Sequence, residues 1–238
     1  MTAQPKQPNS RTYTLATLLA LTATLLPALA QTRWATEGTG RKGMTEVYGI
    51  VQYLHSENID FNGPSGSIDT KMDDTGLGGF GFAFHFNDSL SIHGDFMFGP
   101  ATFSSTVPLL GVGVGSNTAF IQQDGFLQTG RFNLDYNIIN RRFTPFVTGG
   151  LGYQFTEIEL ENINNFTYWN PWYGWTSAQG HPYAWQADFT WNAGAGLRWN
   201  ITDHLMVKAT GGAIWLEYDN SHGVTTQLEA IFAIGYSW

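Results

Sequence analysis

Residues 185–199 read Trp185-Gln186-Ala187-Asp188-Phe189-Thr190-Trp191-Asn192-Ala193-Gly194-Ala195-Gly196-Leu197-Arg198-Trp199. Odd positions carry Trp, Ala, Phe and Leu; even positions carry Asp, Thr, Asn, Gly and Arg after Gln186. A period of two puts the two sets on opposite faces of an extended strand, so this stretch predicts a strand. The same alternation recurs at Phe80-Gly81-Phe82-Ala83-Phe84-His85-Phe86. After the turn-forming Asn87-Asp88-Ser89, Leu90, Ile92, Phe96 and Phe98 alternate with Ser91, His93 and Asp95. Phe126, Phe132, Leu134 and Tyr136 alternate likewise with Thr129, Arg131, Asn133 and Asp135.

Extended along the chain, the pattern predicts eight strands, at 44–54, 74–86, 89–99, 124–138, 143–157, 184–200, 203–219 and 224–238. Each reaches the 9–11 residues, roughly, that an oblique bilayer crossing requires. Connections at 87–89, 138–142 and 200–204 are short and polar, those at 55–73, 100–123 and 158–183 are long, and 220–223 is a tight turn. Short turns at one end and long loops at the other is the pattern of an outer-membrane barrel. Pro64, Pro100, Pro108, Pro171 and Pro182 fall in or beside the long loops, and Pro145 opens a strand, where a missing N–H is tolerated.

Period two also describes soluble sandwiches and lipocalin-type barrels, so the decision rests on which face holds the bulk. Outside go the Phe and Trp rows with Val47, Val51, Tyr53, Leu205, Val207 and Trp215, more than a narrow interior can hold. The opposite faces carry Glu46, Asp95, Arg131, Asp135, Arg198, Lys208 and Glu229 among Gly, Thr and Asn. Bulky apolar groups outside and charges inside is what lipid demands. The expected fold is all-β, an eight-stranded antiparallel up-and-down transmembrane β-barrel. The same parity gathers Phe86, Tyr136, Trp199, Tyr236 and Trp238 at the short-turn end, and Tyr53, Phe98, Phe126, Tyr153, Trp185 and Trp215 at the other, as two headgroup-level belts.

Composition agrees. Only 13% of the 238 residues are charged, against about 25% in a typical soluble domain, while 28 are Gly, 17 Phe, 10 Tyr and 9 Trp. The absence of cysteine excludes a disulfide scaffold, and 19 acids against 11 bases disfavour a nucleic-acid partner. Residues 1–30 read as a signal peptide: Lys6 and Arg11 precede a Leu/Ala/Thr stretch from Leu15 to Leu26, and Ala28-Leu29-Ala30 suits cleavage. Its removal takes away those two cations and leaves nine against 19 acids, a charge of −10. Residues 31–43 are then expected to be a short periplasmic segment and 44–238 the barrel, exported to a Gram-negative-type outer membrane.

Three stretches resemble the small outer-membrane β-barrel family, the group of OmpA-type transmembrane domains and opacity-type surface antigens. They are Thr144-Pro145-Phe146-Val147-Thr148-Gly149-Gly150-Leu151-Gly152-Tyr153, the turn Ile201-Thr202-Asp203-His204-Leu205, and the terminal Phe232-Ala233-Ile234-Gly235-Tyr236-Ser237-Trp238. In the last, Phe232, Ile234, Tyr236 and Trp238 look like the signal such barrels offer to the assembly machinery, with Trp in place of the commoner terminal Phe. The sequence ends on this strand, so cell-wall tethering by a following domain is not expected.

Candidate chemistry is sparse, and no catalytic, metal or cofactor residue is assigned. Gly76-Leu77-Gly78-Gly79-Phe80-Gly81 matches G-x-G-x-x-G, but another alternating strand follows where a dinucleotide site needs a helix. Asn220-Ser221-His222-Gly223, with Asp219 and Glu217 nearby, places Ser and His together without the His-x-Ser-Asn order of lipid A deacylase barrels, and reads as a polar turn. His85 and His93 face the lumen diagonally, opposite Ser91 and Ala83, too few for a metal site. Lumenal charges must pair, because an unpaired buried charge is very costly. An Asp95–Arg131 pair is expected, as is a Lys208–Glu46 contact across Gly235.

The third long loop concentrates Phe166, Tyr168, Trp169, Trp172, Tyr173 and Trp175. Such rings stack on sugars, anchor a host or surface partner, fold over the mouth as a lid, or dip into lipid. Acids at outer positions (Glu57, Asp60, Asp69, Asp73, Asp74, Asp124, Glu157, Glu159, Glu161) suit divalent bridging to lipopolysaccharide. The expected role is that of a monomeric, non-catalytic surface barrel, with adhesion through the loops; a narrow channel is the alternative and a lipid-modifying enzyme a distant third.

Overall fold

The structure, a computed structural model, describes residues 40–64, 66–109, 118–159, 167–172, 174–176, 183–219 and 221–238. The expected signal peptide, and with it most of the 31–43 segment, lies outside the described residues. The eight wall strands are β1 (Thr45–Ser56), β4 (Thr75–His85), β5 (Leu90–Pro108), β6 (Thr118–Asn137), β7 (Phe143–Glu159), β10 (Tyr183–Asn200), β11 (Leu205–Leu216) and β12 (Thr225–Ser237). Each pairs antiparallel with its neighbours in turn, β5 pairs β6, and β1 pairs β12 from Glu46↔Ser237 to Ser56↔Gln227. Thr45 and Trp238 exchange both backbone hydrogen bonds at 3.0 Å, closing the seam at its lower end. The result is a closed eight-stranded antiparallel barrel, as the alternation predicts.

Local chemistry sets the short turns. The Asn87 side-chain oxygen accepts from the N–H groups of Ser89 and Leu90, both at 2.8 Å, and the Thr202 hydroxyl accepts from those of His204 and Leu205. Both mimic a backbone turn and reverse the chain within a few residues.

The exterior is apolar. Phe80, Phe82, Phe84, Phe96, Phe132, Leu134, Leu151, Phe189, Trp191, Phe232 and Ile234 all face outward, and Trp191 stacks on Trp215 across β10 and β11 at 4.7 Å. Phe86, Tyr136, Tyr236 and Trp238 are exposed at the short-turn end, and Tyr53, Phe98, Phe126, Tyr153 and Trp185 at the other. Glycine makes room inside: Tyr48 projects into the lumen with Gly81 and Gly235 directly opposite on its two neighbouring strands. A Cβ on Gly235 would lie 2.4 Å from the Tyr48 Cβ, so the ring needs that absence. Large beside small is how a narrow barrel fills its interior.

The long connections depart from expectation, because they carry sheet of their own. Residues 55–73 contain the hairpin β2 (Ile59–Gly63) and β3 (Gly66–Met72), with β3 joining β5 at Met72↔Phe103; 100–123 is largely the continuation of β5 and β6; 158–183 holds β8 (Tyr168–Asn170) and β9 (Gly174–Thr176). Pro100 suggests a break, yet it lies within β5. Its carbonyl accepts from the Thr75 hydroxyl on the β4 side, where the last paired residues are Gly78↔Phe98. The missing N–H therefore faces a place where β4 has left the ladder and β3 has not yet joined, and it costs no sheet bond.

In these extensions the polarity of the wall reverses. Ile59, Phe61, Met72, Phe103, Val107, Ile121 and Leu127 point inward and are buried, while Asp60, Asp69, Ser104 and Gln122 do not join them in the core. A soluble-type apolar core thus caps a membrane-type polar lumen. If the apolar wall faces lipid, Phe132→Arg should destabilise the folded barrel by about 2–4 kcal/mol. Urea unfolding in lipid vesicles, read by heat-modifiable gel mobility, checks this; a variant as stable as the parent contradicts it.

Candidate functional site: the lumenal charge network and its two seals

Inward-facing positions of six wall strands place the charged groups along the axis. Glu46 on β1 accepts from both Nη atoms of Arg198 on β10, with Nη1 to Oε2 at 3.0 Å, and lies 2.8 Å from His85 Nε2 on β4. Arg198 Nε also donates to Asn200 Oδ1 at 2.9 Å. Higher up, Arg131 Nη1 donates to Glu229 Oε2 at 2.7 Å, and the same oxygen accepts from Gln52 Nε2 at 2.5 Å. Arg131 Nε stands 3.5 Å from Asp95 Oδ2, and the Tyr48 hydroxyl donates to Asp95 Oδ1 at 2.8 Å. His93 bridges two acids, 3.3 Å from Asp95 and 3.1 Å from Asp135. Lys208 closes the chain, 3.2 Å from Asp135 and 5.2 Å from the centre of the Tyr48 ring.

The structure therefore brings together all seven predicted charges and includes the Asp95–Arg131 pair. It corrects the Lys208–Glu46 contact. Arg198 takes both oxygens of Glu46, and the gap left by Gly235 is filled by Tyr48 and Met206, so Lys208 turns to Asp135 instead.

One participant escapes the alternation altogether. Arg41 precedes β1, yet it is fully buried. Its Nη2 donates to the carbonyl of Arg141 and the hydroxyl of Thr144, each at 2.5 Å, and its backbone N–H reaches Asp88 at 2.7 Å. It fills the floor of the barrel within electrostatic reach of Glu46 and Arg198. Sequence reading counts three lumenal cations against four acids; Arg41 is the fourth cation. With it the Lys and Arg side chains of the lower lumen equal its acids in number, Arg41, Arg131, Arg198 and Lys208 against Glu46, Asp95, Asp135 and Glu229, with His93 set between two of those acids. Asp188 stands apart nearer the long loops, bonded to Gln186 at 2.5 Å.

At the other end an aromatic seal closes the mouth. The Trp172 ring meets Phe61 at 4.8 Å, Tyr218 at 5.0 Å and Phe103 at 5.3 Å, all edge-on. Tyr168 and Trp169 are buried with it, and Leu109 bridges Tyr168 to tie β8 to the wall. The Tyr218 hydroxyl accepts from Gln154 and Gln227 at 2.9 and 3.0 Å, and burial together with the nearby Asp188 holds its phenol well above the ordinary range. Of the alternatives open to the loop aromatics, Tyr168, Trp169 and Trp172 take the fold over the mouth, where Phe61 and Phe103 offer Trp172 an apolar face inside the rim. Trp175 is exposed, and Phe166 and Tyr173 lie outside the described residues.

On the outer rim Asp74 accepts from Tyr53 and sits against His55 Nδ1, both at 2.5 Å. Partial burial works to raise its carboxyl, but these two hydrogen bonds prevail and hold it below the usual range.

Between the two seals lies a cavity of about 30 Å³, lined by Tyr48, His93, Asp95, Arg131, Lys208 and Glu229 among others. That is room for one or two waters. The Ser221 hydroxyl donates to the carbonyls of Tyr218 and Gly223, and the His222 N–H to Asp60, so these groups serve the turn. The Gly76–Gly81 motif lies in β4 and β5 follows it. Among the described residues no three His or acidic side chains converge as metal ligands.

Among the structures to which the chain is similar are small outer-membrane β-barrels. The N-terminal barrel of Pseudomonas aeruginosa OprF matches at 13% identity over 84% of this chain and 99% of that one, with a TM-score of 0.44. Neisserial surface protein A matches at 11% identity over 81% and 99%, with a TM-score of 0.47. The attachment invasion locus protein Ail of Yersinia pestis, solved with the heparin analogue sucrose octasulfate, matches at 12% identity over 83% and 99%, with a TM-score of 0.43. No family model matches the chain, and no curated protein matches it either.

If the network is held by mutual neutralisation, Arg131→Met should cost about 3–5 kcal/mol by leaving Glu229 and Asp95 short of a counter-charge. Adding Glu229→Gln should return a large part of that loss. The urea midpoints of the single and double variants, compared in the same detergent, measure both; an Arg131→Met barrel of parental stability contradicts the account.

Proposed function

We propose that this chain is a monomeric outer-membrane barrel with a structural role at the cell surface, which presents an acidic, sheet-reinforced outer platform and does not conduct or catalyse. The observation that carries this reading is the double seal. Arg41 fills the floor, Trp172 with Phe61, Phe103 and Tyr218 fills the mouth, and paired charges occupy the axis between them. A solute path needs continuous water, and eight strands leave an interior that side chains can fill.

The outer platform supports a preference among partners. Outside residues 1–39, the single basic residue at the long-loop end is Lys71, which lies 3.9 Å from Asp73. The same end carries Glu57, Asp60, Asp69, Asp74, Asp124, Glu157 and Glu159. Such a face favours divalent cations that bridge to the phosphates of lipopolysaccharide, or basic surfaces, over sulfated sugars. Export by the N-terminal signal and folding through the terminal Phe232, Ile234, Tyr236 and Trp238 belong to the same proposal.

Refolded full-length protein in planar bilayers is expected to show no discrete conductance steps; regular steps altered by Lys208→Ala would overturn the sealed reading in favour of a channel. Lipopolysaccharide retained by the refolded barrel should be released by a chelator and recaptured on adding magnesium. Retention indifferent to the chelator would remove the cation bridge.

A further inference from the structure

On the outer wall, near the long-loop end, β6, β7 and β10 leave a recess of about 210 Å³ lined by Phe126, Gln128, Phe155, Thr156, Glu157 and Trp185. Register explains its shape. Phe126 and Trp185 stand directly opposite Glu157 on the two flanking strands, so the carboxylate projects between two rings. The row below runs Gln128–Phe155–Ala187, and the small Ala187 opens a notch beneath the indole. Phe126, Phe155 and Trp185 are outward-facing, the last 73% exposed.

The recess sets one carboxylate among three aromatic side chains. Among the described residues Glu157 has no counter-ion: there is no Lys or Arg between Arg142 and Arg198, and Lys71, the basic residue of this end, lies by Asp73. A carboxylate flanked on both sides by aromatic residues is an arrangement that attracts an organic ammonium, which the ring quadrupoles and the negative charge draw together. Height identifies where that ammonium comes from. Trp185 lies fourteen residues along β10 from Trp199 of the lower belt. At about 3.3 Å per residue and a tilt of about 40°, that is a climb of about 35 Å. The apolar band of such barrels is about 25 Å tall, so the Glu157 row sits above it, at the level of lipid headgroups.

We propose that this recess binds the ammonium headgroup of a membrane lipid. Glu157 pairs with the charge, Phe126 and Trp185 flank it, Gln128 offers its amide to the headgroup's ester or phosphate oxygens, and Phe155 with the Ala187 notch receives the start of an acyl chain. The site rests on the membrane placement proposed above, and the test separates the two.

The full chain is refolded into phosphatidylglycerol vesicles doped with a minor fraction of either acyl-brominated phosphatidylethanolamine or acyl-brominated phosphatidylglycerol, and tryptophan quenching is read. The Trp185 share is the difference between the parent and Trp185→Phe. That share should be quenched about threefold more effectively by the ethanolamine lipid, a preference of the size that a cation–aromatic contact supplies. Glu157→Gln should abolish the preference with heat-modifiable mobility unchanged, whereas Asp124→Asn, a neighbouring acid outside the recess, should keep it. Equal quenching by both headgroups, or a preference that survives Glu157→Gln, overturns the site. If neither lipid quenches any tryptophan, the membrane placement itself fails. Protection of Glu157 from carbodiimide labelling by a soluble lysine-rich peptide, without headgroup preference, would assign the recess to a protein partner and overturn the lipid.

Discussion

An open sheet leaves the N–H and carbonyl groups of its edge strands without partners, and the closed hydrogen-bonded cylinder answers that constraint. Once β1 meets β12, the wall has no edge, and each strand must divide its side chains between an apolar outside and a narrow inside. The narrowness then governs the interior. Charges placed there cannot be solvated by bulk water, so they must neutralise one another, and side chains as large as Tyr48 demand glycine on the strands facing them.

The two compartments of the lumen have opposite chemistry. Where the exterior is apolar, the interior is the polar side and is filled by ion pairs. Beyond that band the preference inverts, and the same cylinder encloses Phe61, Phe103, Trp172 and Tyr218. The upper core is what any small soluble β-domain would build. It lets the loops of the outer end act as a folded unit, because β2, β3 and β8 all lean on it.

Much of this was legible in the sequence, and the exceptions have physical causes. Alternation locates the eight wall strands because period two survives wherever one face of the wall is apolar and the other polar. The inverted stretch is harder: Phe103, Val107 and Ile121 also alternate with polar neighbours, but Pro100 and Pro108 suggest a loop. The pairing of Asp95 with Arg131 is readable because they are directly opposite on adjacent strands, whereas Lys208 and Asp135 meet across the lumen, and strand order does not state which side chains cross an interior. Arg41 carries no periodic signal at all.

That fourth cation enters the cylinder from the chain's leading end and not from its wall. The arginine cork is therefore the one member of the ionic lattice that strand pairing does not deliver; it must be tucked under the floor as a separate event. Removing the residues before β1 past position 41 would take a buried cation and its bonds to Arg141 and Thr144 from the floor, so a cut ahead of the first strand would be felt inside the barrel.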